Sequence, residues 1–92
     1  MSANEKTVVL LGRRDHTEAM RVAAGLTIFG HRVKLVFMGR EVADTEENRA
    51  QAELLELSDI EPVTTVPDAG LPMLTTGALA ELIAGSDVVL SV

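Results

Sequence analysis

VVLLGRRDHTEAMRVAAGL, residues 8–26, decides how the chain reads. A run of Val and Leu stops at Gly12, six polar residues follow, and Ala19, Val22, Ala23 and Leu26 then recur at helical spacing. An apolar strand therefore turns into an amphipathic helix over residues 15–29. Asp15 stands where a helix begins and Glu18 three residues later, the spacing of a capping box. In that box the Asp15 carboxylate accepts from a free backbone N–H, and Glu18 reaches back. Gly30 stands where a helix-ending glycine belongs.

The same alternation continues outward. Residues 33–38 are apolar apart from Lys34, as in a strand covered on both faces. Over the next twenty residues Asp44 and Glu47 repeat the capping-box spacing, and Ala50, Leu54 and Leu57 form a stripe at i, i+4 and i+7 that predicts the inward face of a second helix. Residues 61–66 are extended and rich in β-branched side chains, with Pro62 marking a strand start or a sheet edge. The longest irregular stretch is 67–76. Thr75 or Thr76 caps a last helix over 77–84 with Leu79, Leu82 and Ile83 inward, Gly85 ends it, and DVVLSV closes the chain as a strand.

The order β-α-β-α-β-α-β predicts one α/β domain over residues 1–92, in three layers (α/β/α) around a four-stranded parallel sheet. The expected strand order is the flavodoxin-like 2-1-3-4. Ligands of open parallel sheets bind beyond the carboxyl ends of the strands, where the order reverses. In that order the reversal lies between the first and third strands and brings together residues 12–16 and 67–76. Arg13, Arg14, His16, Thr17 and Arg40 then share one edge, beside a helix start whose N–H groups and dipole favour an anion. The repeated glycines of dinucleotide and phosphate loops are absent, since this turn holds only Gly12, and Asp15 competes for the same N–H groups. A solvated, self-capped turn is the plainer expectation.

Composition narrows the chemistry. Hydrophobic residues make up 47% and aromatic residues 2%, so Val, Leu, Ile, Ala and Met must build the core. There is no cysteine, which removes disulfides, thiolate metal sites, a catalytic thiol and a persulfide from these 92 residues. His16 and His31 are expected at opposite ends of the sheet, so no two-histidine metal site forms. No serine stands in a triad-like setting, and Met20, Met38 and Met73 read as core or loop fillers. Neither catalytic residues nor a cofactor are assigned. All eight Lys and Arg lie between Lys6 and Arg49, whereas seven acidic residues and no basic one follow, within a net charge of −6. Such a surface repels nucleic acid phosphates and suits solubility, head-to-tail assembly or a basic partner. The opening MSANEKTVVLL lacks a signal pattern and no apolar run is long enough for a span, which points to a cytoplasmic protein without membrane attachment.

The stretch VVLLGRRDHTEAMRVAAGLTIFGHRVKLVFMGREV, with Phe37, Gly39 and Val42 after its second strand, resembles the opening of the DsrE/DsrF/DsrH family, the TusBCD-like small sulfur-relay proteins. LAELIAGSDVVLSV resembles the family's closing helix and strand, and the middle is shorter than in most members. The resemblance implies a DsrE-like α/β domain that assembles into homo- or hetero-oligomers. Some members carry sulfur as a persulfide on a loop cysteine. That role has no residue to fall on here, and none is transferred to the 67–76 loop.

Together these features predict a non-enzymatic, oligomer-forming or partner-binding relative of the sulfur-relay proteins. It forms a homo-oligomer, dimer or trimer, or a hetero-complex with related subunits, with a sulfur-carrier protein as a further partner. The alternative is a small anionic-ligand or nucleotide-binding domain or enzyme that uses the first turn.

Overall fold

The first strand, β1 (Thr7–Gly12), lies inside the sheet with a parallel neighbour on each side. The structure is a computed structural model that describes residues 5–92. Residues 1–4, part of the opening read as lacking a signal, lie outside the described residues. After β1 come α1 (His16–Ile28), β2 (Arg32–Phe37), α2 (Glu46–Leu57), β3 (Val63–Thr64), α3 (Thr76–Ala84) and β4 (Val88–Ser91). The α/β class and the wholly parallel four-stranded sheet follow the expectation.

The strand order does not: it is 3-2-1-4, not 2-1-3-4. The reason lies in β3. A third strand placed second from the edge must sustain two ladders. Of residues 61–66 only Val63 and Thr64 pair as a strand, just after Pro62, which has no N–H to give. Such a strand fits only at an edge, so β3 lies outside β2 and β4 takes the place beside β1 that the expected order gave to β3. The order then reverses between β1 and β4. Loop 67–76 consequently does not meet the first turn. It folds back on β3, where Thr64 N donates to Pro72 O at 3.0 Å and Leu74 N donates to Thr64 O at 2.7 Å. Beside the first turn lies the end of the chain instead: Arg13 N and Arg14 N both donate to Val92 O, at 2.8 and 2.9 Å.

Two apolar clusters sandwich the sheet. Leu10, Leu35 and Phe37 face α1 and α2 with Ala19, Met20, Ala23, Ala24 and Leu55. Val9, Val36 and Val63 face the other way, against Leu79, Leu82 and Ile83 of α3. Small residues on α1 let it lie close to the sheet. Gly12 continues that close approach, since a Cβ there would stand 3.2 Å from both Ala19 Cβ and Phe37 Cδ1.

Helix ends follow local chemistry. Asp15 caps α1 by accepting from Glu18 N at 3.0 Å, but the Glu18 side chain turns to Arg21 instead of reaching back. At the far end Gly30 takes φ +89°, Gly30 N donates to Thr27 O and His31 N to Leu26 O, a Schellman ending. In α2 the cap is Thr45, not Asp44: Thr45 Oγ1 accepts from Asn48 N at 3.1 Å, while Asp44 pairs with Arg49. The inward face of α2 also differs from the predicted stripe. Asn48 and Leu55 are buried, whereas Leu54 and Leu57 are exposed, Leu57 to 84%. Hydrogen bonds to Asn48 hold this rotation: Thr17 Oγ1 donates to its Oδ1, and its Nδ2 donates to Ala43 O at 2.9 Å.

Candidate functional site

Beyond the carboxyl ends of β1 and β2, the starts of α1 and α2 face one cleft of about 490 Å³. Arg14, His16, Thr17 and Arg40 line it, four of the five residues singled out from the sequence. Arg13 is exposed and lies outside the lining, its N–H tied to the chain end. Arg14 and Arg40 are held near each other, since Arg40 Nη2 donates to Arg14 O at 2.7 Å. Two helix starts and two guanidinium groups make the cleft favourable to a small anion. Asp15 and Glu47 in the same lining oppose it, and both caps already occupy an N–H of their own helix.

His16 is buried here. Its Nε2 lies 3.2 Å from Met38 O, and its ring packs against Phe37 with centroids 5.0 Å apart. A carbonyl oxygen only accepts, so Nε2 carries the hydrogen and donates. The imidazole thus latches the first turn onto the end of β2. Its place is that of a fastening, and the hydroxyls of Thr17 and Thr45 in the cleft lining are both bonded to Asn48. His31 sits at the other end of the sheet, where its Nδ1 accepts from Lys6 N at 3.1 Å. The two histidines do not meet, as expected. Among the described residues no group of three or more His, Asp or Glu could hold a metal ion.

Sequence reasoning missed Thr45 and Asn48, the second helix's contribution to this cleft. A signal existed for Asn48. It stands seven residues before Leu55, on the same helical face, and a polar side chain on a buried face must find partners.

A second kind of surface lies at the sheet edge. β4 pairs with β1 on one side only. Val88, Val89 and Leu90 are all exposed, Val89 to 42%, and none of them belongs to either core cluster. Alternate strand residues face opposite ways, so apolar side chains are bare on both faces of this strand. Its outer edge offers backbone groups for another strand to pair with. Phe29, at the end of α1, is 82% exposed. No helix among the described residues is long and apolar enough to cross a membrane.

Comparison with known proteins finds no matching family model, no matching curated protein and no matching solved structure.

Proposed function

We propose that this is a non-catalytic, partner-binding α/β protein that works as an assembly of copies in the cytoplasm, related to the sulfur-relay proteins it resembles. The observation that carries the reading is β4, an outermost strand that is apolar on both faces and exposed throughout. Two copies related by a twofold axis beside β4 pair their edges antiparallel and extend the sheet. Fully burying a Val or Leu is worth about 1.5–3 kcal/mol, so covering side chains with roughly two fifths of their surface exposed yields about 0.6–1.2 kcal/mol each. The new strand ladder and the Cβ contacts across it add to that. With no cysteine among the 92 residues, the role left by the resemblance is structural: holding a subunit or a sulfur-carrier protein without carrying the sulfur.

Light scattering at micromolar concentration tests the assembly. The mass expected is a multiple of 9.8 kDa, and Val89→Lys, which places a charge on the edge, returns it to one chain. A wild-type particle of one chain, both alone and mixed with a related subunit, contradicts the reading. Intact mass after incubation with a persulfide donor is expected to remain unchanged.

A second reading has its own observation, the joint placement of Arg14 and Arg40 on the cleft between two helix starts. In that case the protein holds a small anionic ligand or nucleotide at the first turn. A phosphate titration in which Arg14→Ala/Arg40→Ala abolishes binding and Arg13→Ala does not would favour it.

A further inference from the structure

We propose that the groove beside α2, on the side away from β4, receives a basic amphipathic helix of a partner protein. The groove measures about 680 Å³. Its apolar lining comes from Met20, Phe37, Val42, Leu55, Ile60 and Leu71. Its charged residues are Glu41, Glu56, Asp59 and Glu61, all exposed, and no Lys, Arg or His lines it. None of the four carboxylates takes part in an ion pair among the described residues.

These features fix the chemistry of the occupant. A purely apolar partner would press uncompensated carboxylates against its own surface, and an acidic one would be repelled. An apolar stripe flanked by Lys or Arg satisfies both floor and rim. The shape selects a helix. The α2 residues on the groove are Asn48, Ala52, Leu55 and Glu56, which stand at i, i+4, i+7 and i+8 on one helical face, and Asp59 follows just past the helix end. The four helical residues span about 12 Å at 1.5 Å per residue, a little over two turns of a partner helix. Strand addition is blocked at this edge, because Pro72 O and Leu74 N already take the backbone groups of Thr64. The proposal does not depend on assembly through β4, and the two fail separately.

The probe is a fluorescein-labelled synthetic four-turn helix of leucine and lysine, with leucines spaced to form one stripe. A scrambled peptide of the same composition is the control. Fluorescence anisotropy with the full chain is expected to show saturable binding of one peptide per chain, weakened by salt. Ala52→Phe fills the groove without changing charge, and Glu56→Lys/Asp59→Lys reverses its rim. Each is expected to weaken binding by about tenfold or more, equivalent to about 1.4 kcal/mol. Glu53→Lys, an exposed α2 residue outside the groove, is expected to leave the affinity within about twofold, since a lone exposed charge acts weakly through solvent. Unchanged unfolding midpoints confirm that the variants fold. Equal binding of the scrambled peptide, unaltered binding by Ala52→Phe, or equal loss from Glu53→Lys would overturn the proposal in favour of non-specific attraction. Loss of assembly in Ala52→Phe, read by light scattering on the same samples, would give the groove to a second copy and overturn it as well.

Discussion

β2 and β4 both lie parallel against β1, one on each side, and both are apolar. Their fates differ. Leu35, Val36 and Phe37 of β2 are buried beneath α1 and α2 on one face and α3 on the other. Val88, Val89 and Leu90 have β1 at one edge and no place in either core cluster. Similar residue types thus serve two ends. In β2 they hold this chain together, and in β4 they are available to hold something else. An apolar strand reports what it is built to meet, and the fold tells whether its own chain supplies it.

Mutations can break or sharpen this contrast. The largest effect is expected at Leu35, which has no exposed surface: Leu35→Ala should cost about 2–5 kcal/mol in denaturant unfolding. Gly12→Ala comes next, at about 1–3 kcal/mol, because its new methyl meets Ala19 and Phe37 and the helix must move. Thr64→Val removes the hydroxyl that donates to Phe37 O at 3.2 Å and accepts from Val66 N at 3.0 Å. In a buried position this should cost about 1–3 kcal/mol. Asp15→Ala tests the exposed cap of α1 and should lower stability by about 1 kcal/mol. An unchanged midpoint together with tighter sulfate binding would instead make the first turn an anion site.

The smallest effect on folding is expected on the bare surfaces. Val89→Thr and Leu57→Gln should each stay within about 0.5 kcal/mol when unfolding is measured on the single chain. A loss comparable to Leu35→Ala at either position would erase the distinction between the two strands, or restore the inward stripe on α2.

How much of this was legible depended on how local the cause was. β1, the start of α1 at Asp15 and its end at Gly30 were readable because neighbouring residues decide them. The start of α3 was narrowed to Thr75 or Thr76, and Thr75 is the cap. The cap of α2 slipped from Asp44 to Thr45, since adjacent residues both had side chains fit to cap. The face of α2 was misjudged because two stripes compete, and Asn48 settles the choice through Thr17 and Ala43, a partnership between helices that periodicity does not contain. Strand order depended on how few residues of the third strand pair, a length that β-branched composition overstates. At the candidate site, Arg14, His16, Thr17 and Arg40 were found from one turn and the end of the next strand. Asn48 and Thr45 were missed because they arrive from a helix whose rotation was not legible.

The most direct test of the central claim is hydrogen exchange at the amides of β4, followed from dilute to concentrated protein. If copies pair through this edge, Val88–Ser91 become protected as concentration rises, approaching the protection of β1, while β2 stays protected throughout. If β4 exchanges rapidly at every concentration while β1 and β2 remain protected, the edge is not where copies meet, and the account of this protein as an assembling subunit is contradicted.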